Sequence, residues 1–167
     1  MKILLLTGPP AVGKNTVASR LAAKRERCAV VDVDVVRWMV VQPHVAPWGG
    51  EEGRKQHILG VRNACRLTEQ FVEAGYDVVI LDLVSDELLT IYRTELRPLE
   101  VKTVLLMPTH EEIKRRIISR PVSVSLKPEE IDLLYQWQTL LRTFDEKIDN
   151  TSLSAEDVAE RLNRGLQ

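Results

Sequence analysis

Gly8-Pro9-Pro10-Ala11-Val12-Gly13-Lys14-Asn15-Thr16 follows the apolar run Ile3-Leu4-Leu5-Leu6 and precedes a helix-compatible stretch, residues 17–25. An unalternating apolar run ended by glycine reads as a strand buried on both faces of a parallel sheet. Gly8 and Gly13 permit backbone conformations that turn several N–H groups inward on a phosphate, and the positive end of the next helix adds to that field. Lys14 then reaches the β- and γ-phosphates of a nucleotide. Glycine and proline make turns in any protein, but the strand, loop and helix here stand in the order a phosphate-binding loop requires. Gly8, Ala11, Val12, Gly13, Lys14, Asn15, Thr16 and Val17 are therefore the expected nucleotide-binding residues of this segment.

Working outward, similar apolar runs recur at residues 28–33, 76–83, 101–107 and, more weakly, 146–149, with helical spacing between them. Ile58, Val61, Cys65, Thr68 and Phe71/Val72 fall on one helix face, and Gly75 supplies a left-handed residue to end that helix. Thr109 with Glu112, and Ser154 with Asp157, have capping-box spacing, while Pro128-Glu129-Glu130 makes a favourable first turn. The alternation predicts an α/β fold of three layers, α/β/α, with a five-stranded parallel sheet and helices on both faces. One domain is expected over residues 1–167, and ligands should bind where the strands end.

Composition narrows the partners. The 167 residues carry 23 Lys+Arg against 24 Asp+Glu, a net charge of −1, with 44% apolar and 5% aromatic residues. No global basic field exists for nucleic acid or an anionic membrane, so affinity for phosphate has to be local. Two cysteines, Cys28 and Cys65, make neither a disulfide framework nor a metal quartet. Only Ile3-Leu4-Leu5-Leu6 could imitate a signal-peptide core, and Gly8-Pro9-Pro10 cuts it short, so a cytoplasmic, unanchored protein is expected.

Carboxylates stand at the ends of the second and third runs. Val31-Asp32-Val33-Asp34 places two of them at i, i+2, an expensive arrangement for a buried strand end unless they act on something. Asp34 alone could be explained as the cap of a helix starting at Val35. Asp82 ends the run Ile80-Leu81-Asp82-Leu83, a position that serves magnesium or the acceptor in P-loop proteins. Residues 38–53 hold Trp38, His44 and Trp48, and read either as an acceptor pocket or as aromatic packing onto the sheet. Residues 36–50, apolar with two tryptophans, suit a dimer contact as readily as a pocket wall, so monomer and homodimer both stay open.

The loop spelling resembles that of the adenylate kinases, GPPGxGKGT, which also lacks a hydroxyl after the lysine and carries Thr one residue later. That resemblance implies that Thr16 contacts the α-phosphate and that magnesium is held largely through water by nearby carboxylates. Asn15 departs from the Ser or Thr usual at that position. The Asp32/Asp34 pair resembles the D-x-D element of shikimate kinase-like and gluconate kinase-like enzymes, which makes Asp32 a metal residue through water, with Thr16, and Asp34 the base for the acceptor hydroxyl. Asp34-Val35-Val36-Arg37 resembles the adenylate kinase D-L-L-R stretch, in which the arginine holds an anionic acceptor; a surface arginine on an amphipathic helix is the plainer alternative. Asp82 is not followed by the G-F-P-R of adenylate kinases, which argues against a nucleotide acceptor.

Glu111-Glu112-Ile113-Lys114-Arg115-Arg116-Ile117-Ile118-Ser119-Arg120 resembles the R-x-x-x-R stretch leading into the lid of these kinases, although Glu112 could simply pair with Arg116. The likeness implies that Arg116 stacks on adenine, that Arg120 steadies the transferring phosphoryl group, and that a short lid spans about 120–127. Phe144-Asp145-Glu146-Lys147-Ile148-Asp149-Asn150-Thr151-Ser152 is similar to the final strand and base-binding loop of small antibiotic and metabolite kinases, including chloramphenicol phosphotransferase, and makes Asn150 a nucleotide-binding residue.

The chain is thus expected to be a P-loop small-molecule kinase, moving the γ-phosphoryl of Mg-ATP to a hydroxyl of a small metabolite or antibiotic. Lys14, Asp34 and Arg120 would be catalytic; Asp34, Arg37, Asp82 and Trp48 would face the acceptor; ATP and Mg2+ are the implied cofactors. A nucleoside monophosphate kinase, or a nucleotide-binding regulator or weak ATPase marked by Asn15, are the alternatives. The chain lacks the N-K-x-D and D-x-x-G segments of switch GTPases, and the signature segments and length expected of transporter-type and AAA-type ATPases. The acceptor's identity, and ATP against GTP, stay open.

Overall fold

The computed structural model describes residues 2–119 and 126–166, so Arg120 and most of the expected lid lie outside the described residues. In chain order the elements are β1 (Ile3–Thr7), α1 (Lys14–Ala22), β2 (Cys28–Asp32), α2 (Val33–Arg37), α3 (Gly50–Glu73), β3 (Asp77–Leu81), α4 (Asp86–Glu95), β4 (Val101–Leu106), α5 (His110–Ile118), α6 (Pro128–Leu140), β5 (Glu146–Ile148) and α7 (Ala155–Arg164). The five strands form one parallel sheet in the order β2-β3-β1-β4-β5, as the alternation predicts. Central β1 sets Leu5 between Ile80 of β3 and Thr103 of β4.

Successive side chains of β1 enter opposite layers. Ile3 and Leu5 join Val61, Cys65 and Leu89 on the α3–α4 face, while Leu4 and Leu6 join Leu21, Ile113 and Leu162 on the α1–α5–α7 face. Both faces are dry, which is why the run is continuously apolar. Full burial of each such leucine contributes about 1.5–3 kcal/mol. The carboxyl ends of β1, β2 and β3 therefore open together on one edge of a rigid platform.

Local signals set the helix ends. The Thr109 and Ser154 hydroxyls accept the N–H groups of Glu112 and Asp157, and Asp157 returns its carboxylate to the Ser154 N–H. Gly75 ends α3 at φ +85°. Ser85 caps α4 by accepting from the Leu88 N–H.

One expectation needs correction: the segment after α2 is shorter than 38–53, because α3 begins at Gly50. The expected face of α3 is the one that packs: Val61, Cys65 and Thr68 are buried and Ile58 and Val72 lie against the core, with Phe71 at its exposed edge. Gly53, His57, Gly60 and Ala64 extend the buried stripe, and the close crossing of α2 over α3 requires glycine at 60, where a Cβ would stand 2.5 Å from Cγ of Arg37. Among the described residues no helix is long and apolar enough to cross a membrane.

Candidate nucleotide and acceptor site

The loop after β1 takes left-handed backbone at Gly8 (φ +146°), Ala11 (φ +64°) and Gly13 (φ +94°). A side chain at Gly8 would collide with the Leu106 carbonyl of β4, so glycine is required there by contact as well as by dihedral. Gly13 is the N-cap of α1, whose first turn is Lys14-Asn15-Thr16-Val17. The Lys14 ammonium lies across the loop, donating to the carbonyls of Gly8 at 2.6 Å and Pro9 at 3.3 Å. Thr16 is exposed at the mouth and Val17 is buried beneath it.

Beside the loop a cavity of about 190 Å³ is lined by Ala11, Gly13, Thr16, Val17, Arg116 and Asn150, among others. Seven of the expected nucleotide residues, Val12 included, are thus brought together from the β1–α1 segment, α5 and the turn after β5. Arg116 donates through Nε to Glu112 at 2.7 Å, through Nη1 to the Val12 carbonyl at 3.2 Å and through Nη2 to the Asn150 carbonyl at 2.7 Å. The alternative of a Glu112 pair and the expected position beside the loop are therefore both realised in one guanidinium. Asn150 is buried, and its amide donates to the same Val12 carbonyl at 2.9 Å.

The carboxylate pair is divided differently from expectation. β2 ends at Asp32, which is itself the cap of α2: its Oδ1 accepts the Asp34 N–H at 3.0 Å. Capping therefore explains Asp32, not Asp34, because the helix starts at Val33 and not at Val35. The other oxygen, Oδ2, accepts from Asn15 Nδ2 at 2.8 Å, so the residue that departs from the Ser/Thr pattern is tied to the carboxylate it faces. Asp34 is left pointing outward with its side chain 78% exposed. The protein crowding the cleft around it raises its carboxyl above the usual range, the nearby Asp82 and Asp32 charges raise it further, and Lys14 and Arg37 oppose them. Water reaches the open carboxylate and screens most of these effects.

Asp82 is buried, and three groups hold it. Oδ1 accepts from His57 Nε2 at 2.8 Å and from the Leu83 N–H at 2.7 Å, and Oδ2 accepts from the Tyr92 hydroxyl at 2.9 Å. Burial alone would raise this carboxyl, but His57, Tyr92 and Leu83 together hold it below the usual range. His57 was not singled out from the sequence. Its signal is its place on the buried stripe of α3 between Gly53 and Gly60, where a polar ring needs a partner.

Asp34, Arg37, Trp48 and His57 line a second cavity of about 220 Å³, with Trp38 and Leu134 among its other walls. Arg37 is only 5% exposed and donates to Asp34 at 3.5 Å and to the Val45 carbonyl at 2.8 Å, which corrects the surface-arginine alternative. Trp48 donates through Nε1 to Glu130 on the first turn of α6 at 2.9 Å. Trp38 is not packed on the sheet; it is exposed and stacks on His44 at 3.9 Å between centroids.

Side-chain donors at the mouth are oxygens: the Thr16 hydroxyl, Asp32 and Asp34. Such a set fits a hard divalent cation that keeps most of its water and binds chiefly through nucleotide phosphates. Among the described residues no group of three or more His, Cys, Asp or Glu could hold a metal unaided.

A family model described as an AAA domain matches residues 4–133, most of the chain. No curated protein matches it significantly. Among solved structures, a shikimate kinase from Bacteroides thetaiotaomicron aligns at TM-score 0.66 and 19% identity, covering 99% of this chain and 98% of that one. The APS kinase of Mycobacterium tuberculosis, in complex with AMPPNP and APS, aligns at TM-score 0.71 and 15% identity over 96% and 94%. A tunicamycin resistance protein from Deinococcus radiodurans aligns at TM-score 0.69 and 16% identity over 99% and 95%. The family's description corrects the exclusion of AAA-type ATPases as far as the designation goes; the matched stretch holds the P-loop, Asp34, Asp82 and Arg116. The chain belongs to the AAA domain family, and its fold is that of the P-loop small-molecule kinases.

Proposed function

We propose that the protein transfers the γ-phosphoryl group of ATP to a hydroxyl of a small molecule bound beside Asp34. One observation carries this reading: Asp34, the outward carboxylate after β2, lies on the wall of a cavity while Lys14 of the phosphate-binding loop is near enough to act on its charge. The similar structures include a kinase of shikimate and a kinase of APS bound to AMPPNP, which supports ATP as donor and a small acceptor.

Phosphoryl transfer of this kind is mostly alignment and charge neutralisation, because the transition state is loose. The inward N–H groups from Gly8 to Gly13 and the start of α1 hold the β- and γ-phosphates, and Lys14 spreads their charge. Arg116 stacks on or borders the base beside Asn150. The acceptor oxygen forms its bond to the γ-phosphorus as the bond to the β–γ bridging oxygen breaks; ADP leaves, and the hydroxyl proton passes to Asp34 and on to water. The outward carboxylate of Asp34 accepts this proton chiefly by position, since a base in a loose transition state need not be strong. Magnesium, held by the phosphates with Thr16 and Asp32 through water, would supply charge neutralisation at the β- and γ-oxygens. Arg120 would steady the transferring group by the family resemblance.

A second reading has its own observation. Asn15 occupies one oxygen of Asp32, so a protein that binds ATP and transfers nothing would be a nucleotide-dependent regulator.

The test is incubation with γ-labelled ATP, magnesium and a pooled library of sugars, nucleosides, amino alcohols and antibiotics, with Asp34→Asn and Lys14→Ala beside it. Label should enter an organic product. Asp34→Asn should lower transfer at least 100-fold with ATP affinity nearly intact, while Lys14→Ala should weaken nucleotide binding. Label in nucleoside diphosphates would identify a nucleoside monophosphate kinase, and an Asp34→Asn protein at the wild-type rate would remove the base assignment.

A further inference from the structure

A larger cavity, of about 360 Å³, adjoins the one beside Asp34 and shares Pro47, His57 and Leu83 as walls, so it lies next to Asp34's cavity on the side of α4 and the end of α6. Its walls are chiefly Leu83, Val84, Leu88, Trp137, Leu140 and Leu141. Among the described residues the cations lining the two cavities are Arg37 and Arg54: Arg37 donates to Asp34 and to the Val45 carbonyl, with its buried Nε unpartnered, and Arg54 pairs with Glu87. Asp34, Asp86 and Glu87 outnumber them. Thr143, through its hydroxyl and its N–H, holds Asp86 below the usual carboxylate range, so that charge persists. An acceptor carrying a negative charge would meet more carboxylates than cations among the described residues here, and so net repulsion.

His57 stands at the junction. A carboxylate can only accept, so the bond to Asp82 requires Nε2–H, and in the neutral ring Nδ1 then carries a lone pair. Among the described residues nothing bonds Nδ1, and the His57 side chain lines both cavities. Tyr92 and the Leu83 N–H fix Asp82, and Asp82 fixes the ring.

Resting on the acceptor-site reading above, we infer that the acceptor is an amphipathic alcohol without negative charge, whose apolar part fills the Leu83–Trp137–Leu141 cavity, and that His57 Nδ1 selects it by accepting a hydrogen bond from a hydroxyl or N–H. His57 is on this account a specificity-determining residue, not the base.

The experiment uses alcohols in matched trios: an uncharged member with an aryl or alkyl group, its carboxylate analogue, and the bare polyol. Binding is read by saturation-transfer NMR with AMPPNP present, and transfer separately with ATP. Uncharged apolar members should bind at least ten-fold more tightly than both partners; carboxylates or bare polyols binding as well, or no apolar member binding, overturns the inference. Binding in this order without transfer leaves the inference standing and removes the kinase reading instead. For the best acceptor, blocking the donor group by methylation should cost wild type about ten-fold in KM, and should cost His57→Gln little. Equal losses in both overturn the role of His57. Should His57→Gln fail to fold, Leu140→Glu, at an exposed wall position, should raise the KM of the apolar member alone; no change there overturns the apolar subsite.

Discussion

Arg116 donates to the carbonyl oxygen of Val12 at 3.2 Å, joining α5 to the phosphate-binding loop across 104 residues of chain. The same carbonyl accepts from Asn150, whose own carbonyl accepts from Arg116, so three segments meet at one knot. Lysine has no planar fork and cannot make these bonds together. Arg116→Lys should weaken ATP binding about ten-fold, and Arg116→Ala at least as much, in a titration with a fluorescent ATP analogue. Unchanged affinity in both would detach the knot from nucleotide binding.

Ala11 holds φ +64° at a position where the similar adenylate kinase loop has glycine. Left-handed backbone costs an L-residue about 1–2 kcal/mol, and glycine gives back about 0.4–1 kcal/mol through the freedom of the unfolded chain. Ala11→Gly should therefore stabilise the protein by about 0.5–1 kcal/mol in urea denaturation. A loss of stability would mean that the Ala11 methyl packs productively.

Asp82 should show the difference between weakening a buried network and stranding it. In Asp82→Asn the remaining oxygen can still accept from His57 and Leu83 while the amide donates to the Tyr92 oxygen, so loss of charge assistance should cost about 1.5–3 kcal/mol. Asp82→Leu leaves three donors unpaired and should cost about 3–5 kcal/mol, read from urea midpoints. Equal costs would contradict the network as described.

Glu112 is held at about 2, from an ordinary 4.5, first by the Arg115 hydrogen bond and then by that of Arg116. A carboxyl lowered on folding stabilises the folded state above its ordinary value, and that contribution disappears as pH falls through the lowered one. The stability difference between wild type and Glu112→Gln should be constant above about pH 5 and shrink as pH falls toward 2. Thermal melts across that range measure it; a difference that grows on acidification would reverse the assignment.

Local pattern carried the architecture. The apolar runs, the Thr109 and Ser154 caps, the Gly75 stop and the phosphate-binding loop each depend on residues within a few positions of one another, and each stands where expected. Boundaries moved by a few residues, and one of these shifts changed a role: β2 ends at Asp32, so Asp32 is the cap and Asp34 is freed.

By itself, then, the sequence determined a parallel α/β sheet with a phosphate loop after its first strand, because strand burial, helix capping and left-handed turns are short-range properties. Tertiary structure alone decided what the side chains do. Asp82 meets His57 from 25 residues away, Asn15 turns to Asp32 from 17, Arg116 reaches Val12 from 104 and Trp48 reaches Glu130 from 82. No periodicity encodes such pairings; they arise when α3, α5 and α6 pack around the carboxyl edge of the sheet, and burial there leaves each polar group needing a partner.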